Sequence, residues 1–262
     1  MAFFNKDFED YYKEIYGERW LLLRESLLCP VKTIAFTDGL IKPYMMDRAS
    51  VIAAESLRLP ENGIVLDACA APGGKSLVLV SRMTEAVSLV SNEFSAERRH
   101  RLSRVLDEHL TEEKRAQIKI TGYNAARLGK KKDLCYDAIL LDVPCSSERH
   151  VITDKKALAK WTPARPRFLS TRQWSLLSAA FLILNKGASL VYSTCAISTV
   201  ENDGVVSRLF KKYGSQVIID EPLFNEGEGS IGEKTQYGRI ILPDKCDGMG
   251  PMYVARFKKA IS

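Results

Sequence analysis

Ten residues constrain this chain more than any others: Asp67-Ala-Cys-Ala-Ala-Pro-Gly-Gly-Lys-Ser76. They follow the apolar run Gly63-Ile-Val-Leu66, which reads as a buried strand. They precede Leu77-Val-Leu-Val80, which reads as the start of a helix. A strand that breaks at a Pro-Gly-Gly turn and opens a helix is a ligand-binding device. Glycine lets backbone N–H groups approach a ligand closely, and the helix N-terminus points at it. A phosphate loop, G-x-x-x-x-G-K-[ST], would need glycine where Cys69 stands, so a nucleoside triphosphate site is rejected.

Downstream of Gly63 the pattern alternates. Strands are predicted at 63–67, 87–92, 117–122, 137–142 and 188–193, with helices such as Ser95–Leu110 and Arg167–Leu184 between them. Ser95 suits an N-cap, with Glu97 in the first turn. This alternation implies an α/β fold with a mainly parallel, doubly covered sheet, whose ligands sit at the carboxyl ends of the strands. Those ends carry Asp67, Glu93, Asn124, Asp142 followed by Val-Pro-Cys145, and Cys195. Glu93 falls about 20 residues past the glycine turn, where dinucleotide folds place an acid for ribose hydroxyls. Two thiols and three carboxylates therefore converge on one edge.

Upstream, Phe3, Phe4, Phe8, Tyr11, Tyr12, Ile15, Tyr16, Trp20, Leu21 and Leu22 follow a roughly helical spacing, interrupted near Gly17. They predict two helices docking an aromatic side on the main domain; the alternative is an RNA-facing cap, since aromatics among lysines can stack on bases. Residues 29–43 read as a linker with one short strand, and Tyr44–Leu59 as a helix. The chain thus divides into a helical extension, 1–43, and a main domain, 44–262. Glycines 227, 229 and 232 and the run Met252–Phe257 suggest a C-terminal hairpin that completes the sheet.

The formal net charge of +6 leans toward a polyanionic partner. Six cysteines without a C-x-x-C or Cys/His pair of zinc spacing argue for free thiols and no metal site. No apolar run approaches the ~20 residues of a membrane span. Five acids among the first twenty residues speak against a targeting peptide and for a reducing, cytoplasmic setting.

Three signatures occur in order: Asp67–Ser76, Asp142-Val-Pro-Cys145, and Ser193-Thr-Cys-Ala-Ile197 followed by Glu201-Asn202. Together they resemble the S-adenosylmethionine-dependent RNA 5-methylcytosine methyltransferases of the Sun/Nop family, over roughly residues 44–262. The resemblance implies a Rossmann-like class I methyltransferase with a seven-stranded sheet, in a compact form without an appended RNA-binding domain. It also implies S-adenosylmethionine held by Cys69, Ala70, Ala71, Pro72, Gly73, Gly74 and Lys75, with Glu93 on the ribose and Asp142 between cofactor and base. Asn124 stands where many members carry aspartate, and an amide also suits an adenine edge. Cys195 matches the nucleophile that adds to cytosine C6, Cys145 the cysteine that aids product release, and Asp142 and Lys75 groups beside the target base. Cytosine C5 is too weak a nucleophile unless a thiolate first breaks the 5,6 double bond. Lys75 and a helix opening near Ser198 are candidates to ionise that thiol, and a protonated Asp142 is a candidate donor to N3.

The implied partner is RNA: ribosomal RNA first, transfer RNA second, with a substrate-delivering protein as a further candidate and a monomeric chain. Alternatives are a DNA cytosine-C5 methyltransferase, in which the Pro-Cys thiol is the nucleophile, and a non-catalytic cofactor-binding scaffold. Blander readings apply elsewhere. Cys29, Cys135 and Cys246 read as buried small hydrophobes, Ser198-x-x-Glu201 as a capping box, and Arg98, Arg99, Arg101 and Arg104 as a solvated helix face. Arg165, Arg167 and Arg172 are candidates for phosphate contact. His150 is read either as lining the RNA groove or as an ordinary loop residue.

Overall fold

Asn5 starts the first helix by accepting from the Phe8 N–H at 3.1 Å, with Asp7 and Glu9 placed in the first turn where the helix dipole favours acids. That helix, α1 (Lys6–Tyr16), ends at Gly17 with φ 59°, and α2 (Trp20–Leu28) follows. Next come the hairpin β1 (Thr33–Phe36) and β2 (Tyr44–Asp47), helix α3 (Arg48–Glu55), β3 (Gly63–Asp67), α4 (Gly74–Ser81), β4 (Val87–Asn92) and α5 (Ala96–His109). After these come α6 (Glu112–Ala116), β5 (Ile118–Thr121), β6 (Tyr136–Asp142), α7 (Glu148–Thr153), α8 (Lys155–Ala159), α9 (Ala164–Leu182) and β7 (Leu184–Thr194). The chain closes with α10 (Asp203–Tyr213), β8 (Val217–Ile219), β9 (Glu233–Lys234), β10 (Arg239–Ile241) and β11 (Met252–Lys259). The computed structural model describes residues 4–131, 133–221 and 231–261. Phe3, Gly227 and Gly229 lie outside the described residues.

The central sheet runs β5-β4-β3-β6-β7-β11-β10-β9, with β8 also paired to β11. Its first five strands are mutually parallel, and β11 is antiparallel to β7. The order reverses between β3 and β6, the switch point where open α/β sheets bind ligands. The expected α/β fold is therefore present. Among the described residues the sheet has nine strands rather than seven, because the short strands β8, β9 and β10 all pair around β11 and one another.

Alternate side chains of each strand enter different cores. On β6, Ile139 and Leu141 join one apolar cluster while Ala138 and Leu140 join the other; on β11, Tyr253 and Phe257 oppose Met252 and Val254. This period-two sorting puts α1, α2, α9 and α10 over one face of the sheet and α3, α4 and α5 over the other.

Two expectations need correction. Residues Tyr44–Asp47 form a strand, not a helix, paired with Thr33–Phe36. The helix begins at Arg48 because the Asp47 carboxylate accepts from Ala49 N–H at 2.9 Å, an N-cap that stops the helix running further upstream. Cys29 and Cys135 are exposed and Cys246 half-buried, so none of the three is the buried filler expected; all six thiols are free.

The aromatic side of α1 and α2 is docked as expected. Phe8, Tyr12 and Trp20 are buried; Phe8 and Tyr12 meet Trp161, with ring centroids 5.1 Å apart for Phe8–Trp161, and Trp20 stacks on Tyr12 at 5.3 Å. Truncating Phe8 removes the ring that touches three of these neighbours. Phe8→Ala is expected to destabilise the protein by about 3–5 kcal/mol in a urea unfolding titration.

Candidate active site

The turn after β3 is shaped by two close approaches. Gly73 has φ 124°, and a Cβ on Gly74 would fall 2.8 Å from a Tyr44 ring carbon. Arg98 ties the turn down by donating to the Ala71 carbonyl at 2.8 Å. Arg99 donates to the Glu93 carbonyl at 2.9 Å, so these two arginines fasten strand-end loops from a helix face on which Arg98, Arg101 and Arg104 are exposed, as expected. Asn92, at the end of β4, donates to the carbonyls of Ala68 and Tyr123 at 3.0 Å each, and its own carbonyl accepts from Tyr123 N–H at 2.8 Å. One amide thereby locks three strand ends together.

Cys69, Ala70, Ala71, Pro72, Gly74, Lys75 and Asp142 line one cavity together with Asp67, Tyr44 and Ser50. Gly73 stands behind it, packed near Val105 and Leu102. Burial pushes the Asp67 carboxyl up to about 7, with the Ser76 hydroxyl, donating at 2.7 Å, pulling the other way. Asp67 Oδ1 is buried and has no hydrogen-bond partner among the described residues. Glu93 and Asn124 lie further along the same sheet edge. Glu93 Oε1 accepts from Ser95 N–H at 2.8 Å, and Asn124 caps a short turn by accepting from Ala126 N–H at 3.1 Å, leaving its amide N–H groups outward.

The end of β6 meets the end of β7. Asp142 Oδ2 is 2.8 Å from Lys75 Nζ, and its Oδ1 accepts from the Ser193 hydroxyl at 2.9 Å. Both oxygens are thus engaged by the Lys75 ammonium and the Ser193 hydroxyl. Burial works against the Lys75 charge, but Asp142 outweighs it and the pKa stands raised. Beyond this pair, Cys145 Sγ and Cys195 Sγ lie 2.9 Å apart, with Ser147 Oγ 3.2 Å from Cys195 Sγ.

The two thiols are not equivalent. The hydrogen bond from Cys145 is the largest influence on Cys195 and lowers its pKa; burial opposes it and the Ser147 hydroxyl assists. The same bond raises the pKa of Cys145, and burial adds to the rise. No helix opens near Ser198, since α10 begins at Asp203, so the helix expected to ionise Cys195 is replaced by two side-chain donors. Cys195 lines a second cavity with Asp47, Ser147, Arg149, His150 and Met252. Ser50 borders both cavities, and Lys75 Nζ lies 3.4 Å from its hydroxyl.

Two buried carboxylates hold this arrangement from behind. Glu201 Oε2 accepts from Ser146 N–H at 3.0 Å and from the Gln173 amide at 2.7 Å. Gln173 also donates to the Pro144 carbonyl at 3.0 Å. Glu148 Oε2 accepts from Ile197 N–H at 3.1 Å, while its Oε1 takes the Tyr12 and Ser146 hydroxyls. The turn carrying Cys145 and the loop carrying Cys195 are cross-linked through these two acids. Glu201 is therefore structural, but not as a capping box: Ser198 Oγ bonds the Tyr11 hydroxyl instead, at 3.0 Å. Sequence reading missed Asn92, Ser50, Ser147 and Glu148. Only Asn92, beside Glu93 at a predicted strand end, carried a positional signal.

The fold places a strand–turn–helix ligand loop and two thiols at neighbouring strand ends of a mainly parallel sheet, and comparison with known proteins shows the family. The family profile described as 16S rRNA methyltransferase RsmB/F matches residues 54–258. The chain belongs to this family. It is 30% identical over 231 residues to the 5-cytosine rRNA methyltransferase NSUN4 of Bos taurus, covering 83% of this chain and 60% of that protein. It is 29% identical over 231 residues to the mitochondrial tRNA (cytosine(34)-C(5))-methyltransferase of Mus musculus, covering 86% of this chain and 66% of that one. The chain thus spans about 60% of the length of the NSUN4 relative. In three dimensions it is similar to NSun6 from Pyrococcus horikoshii, solved with SFG, with TM-score 0.71 and 22% identity over 87% of this chain and 55% of that one.

Burial, followed by repulsion from Glu148, raises the Glu201 carboxyl to about 7. A carboxyl raised in the folded state holds its proton more tightly there than in the unfolded chain. Its contribution is complete below the ordinary glutamate range and is lost as pH climbs toward 7. Glu201→Gln keeps an acceptor and removes the titration. Its unfolding free energy relative to wild type is expected to rise by about 1–3 kcal/mol between pH 5 and pH 8, measured by urea titration at each pH.

Proposed function

We propose that this protein is an S-adenosylmethionine-dependent RNA cytosine-C5 methyltransferase acting on ribosomal RNA, with Cys195 as nucleophile. The observation that carries this reading is the placement of the Cys195 sulfur, 2.9 Å from the Cys145 sulfur and 3.2 Å from the Ser147 hydroxyl. It faces a cavity that shares Ser50 with the cavity of the Asp67–Lys75 loop. The NSUN4 relative and the 16S rRNA family description support ribosomal RNA. The mouse relative, named for transfer RNA, supports that substrate as the second reading.

The residues fit the cofactor. Loop residues 69–75 and the unpartnered Asp67 Oδ1 suit the methionine end, whose ammonium is a donor. Glu93 suits the ribose hydroxyls, and the Asn124 amide an adenine edge. When bound, S-adenosylmethionine supplies an electrophilic methyl group. The chain's own residues do the rest.

The target cytosine must leave its stack to enter the cavity beside Cys195. There Asp142, held by Lys75 and Ser193, is an acceptor for the cytosine 4-amino group, the feature that separates cytosine from uracil. The Lys75 ammonium offers positive charge to the ring as electrons move onto it. The Cys195 thiolate forms the S–C6 bond, and the pair of electrons from the 5,6 double bond makes C5 nucleophilic. After C5 is methylated its proton passes to solvent water in the open cavity, the C5–H electron pair re-forms the 5,6 double bond, the S–C6 bond breaks, and sulfur leaves as thiolate. Cys145 stands next to that sulfur and assists its departure by donating to it again. Arg149 and His150, on the cavity rim, are candidates for RNA contact. The six free thiols fit a reducing, cytoplasmic setting.

In a reaction of purified protein, cofactor and RNA read by bisulfite sequencing, Cys195→Ala is expected to lose methylation by more than about 10³-fold. Cys145→Ala is expected to accumulate a protein–RNA adduct that survives a denaturing gel. Full methylation by Cys195→Ala would overturn the role assignment; no methylation of either RNA class by wild type would overturn the activity.

A further inference from the structure

Ser147 occupies a position that works against local stability. It adopts a left-handed conformation, φ 54° and ψ 60°, one of two non-glycine residues with positive φ among the described residues. It is also the N-cap of α7, where a serine hydroxyl ordinarily accepts from a first-turn N–H. Ser147 makes no such side-chain bond. Its hydroxyl turns to the sulfurs instead, 3.2 Å from Cys195 Sγ and 3.6 Å from Cys145 Sγ. It also lines the cavity that Cys195 faces. Strain and a forgone cap at one residue, both in favour of a contact with the reactive sulfur, point to a role at that sulfur.

We propose that Ser147 is a positioning residue for the methyl transfer: its hydroxyl donates to Cys195 and aims that sulfur into the base cavity. The proposal rests on the reading of Cys195 as nucleophile. Before addition, Ser147 O–H and Cys145 S–H both point at a sulfur anion. When the S–C6 bond forms the sulfur becomes a thioether, and the Ser147 bond weakens. When that bond breaks, the electron pair returns to sulfur and the hydroxyl donates again. The proton stays on Ser147 Oγ throughout, so the residue acts without net proton transfer.

The surroundings make this donor matter. Asp142 and Glu148 oppose a charge on Cys195, while Lys75 favours it. Asp47, Arg149 and His150 line the same cavity. Burial also penalises the anion, and Ser147 and Cys145 are the two side-chain donors that offset it.

The test needs neither RNA nor cofactor, so its failure is separable from failure of the methyltransferase reading. The rate of iodoacetamide alkylation at Cys195 is followed against pH by peptide mass spectrometry in wild type, Ser147→Ala and Ser147→Gly. Alanine removes the hydroxyl and keeps the Cβ in the left-handed region. Glycine removes the hydroxyl and relaxes the backbone. Both variants are checked by thermal melting. The alkylation midpoint is expected to move upward by about one pH unit in both. An unmoved midpoint in both variants, or movement in only one of them, would overturn the proposal, because the effect would then be absent or would belong to the backbone.

Discussion

Two sulfurs 2.9 Å apart, on turns that follow neighbouring strands, set the terms for everything around them. A thiol in a buried site resists ionisation, because low dielectric disfavours the anion. The chain solves this without placing a cation in contact with Cys195. A second thiol and a hydroxyl share the task as donors, and the ammonium of Lys75 is held one step away by Asp142. The asymmetry between the thiols follows from their neighbours. Ser147 Oγ stands nearer to Cys195 Sγ, at 3.2 Å, than to Cys145 Sγ, at 3.6 Å, and the Glu148 carboxyl opposes a charge on either sulfur.

Such a contact survives only if both turns are held rigidly, and the fold devotes buried carboxylates to that purpose. Glu201 fixes the Pro144–Ser146 turn through Ser146 N–H and Gln173, and Glu148 fixes Ile197. Tyr12 extends this scaffold to the N-terminal helices through its hydroxyl on Glu148. The helices that cover Trp161 are thus part of the framework behind the thiols. Buried acids without a cation in contact are costly unless partly neutralised, which is why burial raises both pKa values and why the framework is sensitive to pH.

The parallel strands were legible because each is a short apolar run ending in a polar residue, and the sheet rule then placed Asp67, Glu93, Asp142 and Cys195 on one edge. Residues whose partners lie far along the chain were not legible. Glu201 satisfies a local capping pattern, yet its carboxylate bonds Ser146, 55 positions away. Arg98 and Arg99 sit on a helix face that reads as solvated, but their guanidinium groups reach back to loop carbonyls. Tyr44–Asp47 reads as helix until the opposing strand Thr33–Phe36 is in view. Ser147 lies two residues from Cys145, but its left-handed backbone and the turn of its hydroxyl toward the sulfurs cannot be inferred from spacing.

The most direct test of the account is to trap the enzyme on RNA in which 5-fluorocytosine replaces the target base. Fluorine at C5 cannot leave as a proton would, so the S–C6 bond persists and the modified peptide can be mapped by mass spectrometry. The account predicts the nucleotide on Cys195. A nucleotide on Cys145, or none on either cysteine in an enzyme that methylates unmodified RNA, would contradict it.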